Sequence, residues 1–132
     1  MGLVAVLQAG REGTFFNQAF GSAVAIDGDV VMLEAAKETV PDEERLGVFI
    51  PYQGAVYVFE RNAGGSNQWG DVQRLTAPDP NGLHSEKFGL NLAISSDTAL
   101  IAVPEDYVDG KCEQGYVYVF ERDPAPQQWQ PM

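Results

Sequence analysis

Carboxylates are the side chains whose number and placement in this chain could do chemistry. Nineteen Asp and Glu stand against eight Lys and Arg, a formal net charge of −11 over 132 residues. Two stretches concentrate them: Glu34, Glu38, Asp42, Glu43 and Glu44 in one, Glu105, Asp106, Asp109 and Glu113 in the other. Only Lys37, Arg45 and Lys111 are interspersed. Carboxylate oxygens are the hard ligands calcium prefers, which makes Asp106, Asp109 and Glu113 the metal candidates. Their spacing lacks the dense alternation of an EF-hand loop, so a solvated acidic loop is the competing interpretation. Asp79-Pro80-Asn81-Gly82 reads as a turn. Calcium apart, no cofactor is expected.

Other chemistries have little to work with. Acid–base or nucleophilic catalysis needs a His, Cys or raised-pKa carboxylate beside a partner. His84 is the only histidine and falls in a turn, and Cys112 has no identifiable base, so no enzyme and no catalytic residue is expected. A lone cysteine also excludes an internal disulfide framework. Tyr52 and Tyr107 could stack on sugar rings or cover the undersides of their own loops. The negative charge repels phosphate backbones, which excludes nucleic acid and favours cations or basic surfaces, although acidity also serves solubility. No stretch approaches the roughly 18 apolar residues of a spanning helix, so no membrane insertion is expected. Met1 to Gly10 lacks the basic start and long apolar core of a signal peptide.

These loops must be positioned by strands, and the strands come twice. Gly54-Ala55-Val56-Tyr57-Val58-Phe59-Glu60-Arg61 recurs as Gly115-Tyr116-Val117-Tyr118-Val119-Phe120-Glu121-Arg122, 61 residues on. β-branched and aromatic residues of both parities read as a strand covered on two sides. Phe20-Gly21-Ser22-Ala23-Val24-Ala25-Ile26-Asp27-Gly28-Asp29 recurs 68 residues on as Phe88 to Asp97, with Leu7 falling on Leu75, and Trp69 recurs 60 residues on as Trp129. Each unit thus predicts four strands. The first is Ala23 to Ile26 or Leu92 to Ile94, the second Val30 to Leu33 or Ala99 to Val103, joined by tight turns at Asp27-Gly28-Asp29 and Ser95-Ser96-Asp97. The third is the repeated stretch. The fourth runs from Trp69 to about Leu75, after a flexible Asn62 to Asn67 connection.

Four short antiparallel strands repeated at this period predict an all-β chain of two four-stranded propeller-type blades, with a β-sandwich as the alternative. The single domain 1–132 divides into an N-terminal outer strand and loop (1–19), a first blade (20–77), a loop (78–87) and a second blade (88–132) lacking its own complete fourth strand. Phe20 and Phe88 are expected to wedge each unit against its neighbour, with Gly21 and Gly89 permitting close approach. Trp69 and Trp129 are expected in blade packing. Strand alternation puts loops 35–53 and 104–114 on one end with 10–19 and 78–87. Glu38, Asp42, Glu43, Glu44, Tyr52, Glu105, Asp106, Tyr107 and Asp109 are therefore candidates for binding from that loop face.

The Phe-Gly pairs, the Val-Ala-Ile-Asp-Gly-Asp hairpin, the Gly-x-Val-Tyr-Val-Phe-Glu-Arg strand and the Gln-Trp opening of the fourth strand resemble the FG-GAP repeat family of integrin-α-like β-propeller blades. The resemblance covers essentially the whole chain. It implies an extracellular or cell-surface adhesion role. Two departures stand out: the family's Gly-Ala-Pro is Glu34-Ala35-Ala36 in one unit and Ala102-Val103-Pro104 in the other, and the turns after the first strands are too short for the integrin-type calcium loop.

Blades that are apolar on both faces leave faces and edges in water when they stand as a pair. Head-to-tail association into a trimeric (six-blade) or tetrameric (eight-blade) ring is the expected remedy. In it, Leu3 to Gln8 of one copy adds to Gly115 to Arg122 of the next. The alternative is a fragment of a longer propeller with a structural role. The functional expectation is a non-catalytic binding or adhesion module presenting its acidic loop face to a protein partner, with a carbohydrate-binding, lectin-like propeller as the alternative.

Overall fold

A computed structural model describes residues 5–7, 20–35, 40–41, 46–47, 49–50, 54–77, 88–89, 91–103, 116–125 and 127–132. Every regular element among them is a strand: β1 Val24–Asp27, β2 Val30–Ala35, β3 Val40–Pro41, β4 Phe49–Ile50, β5 Ala55–Gly65, β6 Gln68–Leu75, β7 Asn91–Ser95, β8 Thr98–Val103, β9 Tyr116–Arg122 and β10 Trp129–Pro131. Two antiparallel four-stranded sheets result, ordered β1-β2-β5-β6 and β7-β8-β9-β10, and β3 pairs with β4 as a separate small hairpin. That hairpin lies within a connection expected from sequence to be wholly irregular.

Local chemistry explains the tight connections. Asp27 pairs with Val30 and Ser95 with Thr98, leaving two-residue turns. The first turn residue of each has positive φ, 58° at Gly28 and 53° at Ser96. This backbone twist matches that of the flanking strands.

The Asn62 to Asn67 stretch, expected to be a flexible connection, is instead the extended tip of the β5–β6 hairpin. Gly65 pairs with Gln68 across Ser66 and Asn67, and the register shifts between Glu60 and Gly65. Positive φ at Asn62, Gly65 and Asn67 and the Asn67 N–H donated to Asn62 Oδ1 at 2.6 Å hold this bulged tip. The turn-forming residues that suggested flexibility are the ones that satisfy the bulge.

Both sheets repeat the same backbone ties. Gly21 N–H donates to Glu34 O at 2.8 Å, as Gly89 N–H does to Ala102 O at 3.3 Å. Arg61 N–H donates to Asp29 O at 2.9 Å, as Arg122 N–H does to Asp97 O at 2.8 Å. The sheets stack as successive propeller-type blades, with β1 against β7 and β6 against β10. At the outer edge of the second sheet, β10 pairs Trp129 with Arg122, Gln130 with Glu121 and Pro131 with Phe120. Residues 5–7 carry no strand assignment, and Leu7 lies against the far face of the first sheet.

Candidate interaction surface

Period-two alternation gives every strand two faces, and stacking uses one face of each sheet. From the first sheet Val30, Met32, Val56 and Val58 enter the shared core. From the second, Ala99, Ile101, Val103 and Phe120 meet them. Burying each of the larger aliphatic or aromatic side chains contributes roughly 1.5–3 kcal/mol. The opposite face of the first sheet carries a second cluster of Leu33, Ala35, Ala55, Tyr57 and Phe59, with Leu7, Phe20 and Trp69 packed on it.

Phe88 is fully buried between the sheets, its ring centroid 5.8 Å from Tyr118 and 6.0 Å from Phe120. Phe20 holds the matching place on the first sheet's far face, edge-on to Tyr57 at 5.5 Å. Such tilted and T-shaped pairs suit the aromatic quadrupole. Behind Phe88, Gly89 (φ 95°) backs onto the first sheet so closely that a Cβ would stand 2.7 Å from Val56 Cγ2. Gly21 has the same kind of backbone (φ 86°), and among the described residues nothing stands within 4 Å of a Cβ there. Trp129 is buried between the sheets, whereas Trp69 lies on the far face with the Arg61 guanidinium 5.2 Å from its ring centroid.

Polar groups tie the sheets along their length. Arg122 Nη2 donates to Glu60 Oε1 at 2.5 Å, with both side chains largely buried. At the hairpin tips, Ser96 N–H donates to Asp27 Oδ2. At the outer strands, the Gln73 amide brackets the Trp129 backbone, accepting from its N–H at 2.9 Å and donating to its carbonyl at 2.8 Å. None of these ties was anticipated from sequence. The one available signal was that both copies of the repeated strand end in Glu-Arg.

The loop-face candidates Glu38, Asp42, Glu43, Glu44, Tyr52, Glu105, Asp106, Tyr107 and Asp109 lie outside the described residues, as do the metal candidate Glu113 and both His84 and Cys112. Among the described residues, no three His, Cys, Asp or Glu side chains are grouped to hold a metal ion. Also among them, no helix is long and apolar enough to cross a membrane.

Two stacked four-stranded antiparallel sheets with matching internal ties define an all-β protein of propeller-type blades. A family model described as FG-GAP repeat matches residues 69–120, and that segment is similar to an FG-GAP repeat. It runs from Trp69 in β6 to Phe120 in β9, so it includes the outer strand of one sheet and the first three strands of the next. The repeat suggests a β-propeller module of the adhesion type, and the family is in general non-catalytic. No curated protein matches the chain.

Proposed function

We propose that this chain is a non-catalytic binding or adhesion module whose blades build into a β-propeller and whose acidic loop end meets a basic surface of a protein partner. The common exit of the connections carries this proposal. Ala35 pairs with Ala55, Val56 with Leu75 and Val103 with Tyr116. Segments 36–53, 76–87 and 104–115 therefore leave and re-enter the sheets at one end. Connections on a rigid scaffold are where recognition commonly sits. Those segments hold Glu38, Asp42, Glu43, Glu44, Glu105, Asp106 and Asp109. A carboxylate field at one end favours and accelerates association with positive charge.

A fluorescently labelled oligo-lysine peptide is the probe for the test. Neutralising Glu38, Asp42, Glu43 and Glu44 to their amides is expected to weaken binding at least tenfold. The same treatment of Asp29, Asp71, Asp97 and Asp123, toward the opposite end, is expected to change it less than threefold. Equal losses from the two variants would mean that net charge alone draws the peptide, and the loop-end proposal would fall.

A further inference from the structure

The two sheets are matched in structure but not in exposure, and the mismatch lies on their two outward faces. On the first sheet, Val24 and Ile26 of β1 are 63% and 66% exposed. Their counterparts on β7, Leu92 and Ile94, pack into the core between the sheets. On the second sheet, Leu100, Val117 and Val119 are 44%, 55% and 37% exposed. Their counterparts Met32, Val56 and Val58 are fully buried between the sheets. Each exposed strip thus corresponds, position for position, to one half of the interface that the chain already makes with itself.

Charge follows the same pattern. Glu60 shares its strand face with Val56 and Val58, and Arg122 shares its face with Tyr118 and Phe120, so the two meet between the sheets. One residue over, Arg61 and the exposed Glu121 point the opposite ways. Arg61 lies over Trp69 on the first sheet's outward face, and Glu121 stands beside Val119 on the second sheet's outward face. The open space at the Gly21 Cβ position, against the tight fit at Gly89, marks the first sheet's outward face as the side with no sheet stacked on it among the described residues.

We infer that the outward face of the second sheet, centred on Leu100, Val117 and Val119, docks a second copy of this chain through the Val24 and Ile26 side of its first sheet. Glu121 of one copy pairs with Arg61 of the other, as Glu60 pairs with Arg122 within the chain. The contact is heterologous, so it leaves one strip of each kind free and continues into a ring where the rotation closes. The inference rests on the propeller reading above and names its partner.

Two variants, each blocked at one strip, test this. Val117→Lys/Val119→Lys blocks the second sheet, and Val24→Lys/Ile26→Lys blocks the first. All four positions are exposed, so circular dichroism is expected to match that of the parent chain. Analytical ultracentrifugation should show the parent chain above monomer mass, each variant alone as a monomer, and their mixture as a one-to-one dimer joined by the two intact strips. Should a lysine variant fail to fold, Glu121→Lys serves instead. It should weaken association at least tenfold, and Arg61→Glu/Glu121→Lys should restore it. A monomeric parent chain at about 100 μM, a folded blocked variant that still associates, a mixture that stays monomeric, or no restoration in the charge swap would each overturn the inference. A monomer that still binds the oligo-lysine peptide through its loop end would defeat self-docking and leave the loop-end proposal standing.

Discussion

A Cβ on Gly89 would stand 2.7 Å from Cγ2 of Val56 and 3.1 Å from Cβ of Glu34, so the two sheets meet there at a separation that only glycine allows. Gly89→Ala combines this clash with a φ of 95° that L-residues disfavour. We expect it to cost about 2–4 kcal/mol, the sum of overpacking and backbone strain. Gly21→Ala carries only the strain and should cost about 1–2 kcal/mol. Urea denaturation of the two variants measures the difference. Equal losses would show that the sheet contact adds nothing at Gly89.

The Arg122–Glu60 pair should behave differently from its surface counterpart. Both partners are largely shielded, and removing either leaves a poorly solvated charge. A double-mutant cycle with Arg122→Ala and Glu60→Ala is expected to return a coupling of about 1 kcal/mol or more. Arg61 and Asp29, 3.2 Å apart in solvent, should couple by no more than about 0.5 kcal/mol.

Gln73→Ala removes both hydrogen bonds that hold the Trp129 backbone against β6. A cost of about 1–2 kcal/mol is expected. Amide exchange should localise it, with the Trp129 N–H exchanging at least tenfold faster while the amides of β2 and β5 keep their relative protection. Uniform acceleration across both sheets would show that the contact is not local.

Ser96 adopts a φ of 53° at the turn position that Gly28 holds in the first sheet. Ser96→Gly should therefore stabilise the chain by about 0.5–1 kcal/mol, because left-handed backbone costs non-glycine residues about 1–2 kcal/mol and glycine loses more chain entropy on folding. The bond to Asp27 comes from the backbone and is retained. A lowered thermal midpoint for Ser96→Gly would contradict this assignment.

Most of the strand framework was legible in the chain because its signals are local. Alternating Val, Tyr and Phe residues mark β5 and β9, and Asp-Gly-Asp marks the β1–β2 turn. The β5–β6 tip was misread because the residues that build a bulged hairpin, Asn62 to Asn67, are also those of a loose connection. Only the register between the strands distinguishes the two. Of the candidate site, the loop-end carboxylates were visible as composition, whereas the inter-sheet ties were not.

The amino-acid sequence by itself determined which residues extend, where they turn, and that one unit is written twice, since propensity and turn chemistry act over a few neighbouring residues. Only the tertiary structure decided which face of each sheet is covered. It sends the side of Met32, Val56 and Val58 into the core and leaves the corresponding side of Leu100, Val117 and Val119 in water. It likewise pairs Glu60 with Arg122, 62 residues away, rather than with the adjacent Arg61. The physical reason is that alternation sends neighbouring side chains to opposite faces, while only sheet stacking selects the face that meets another.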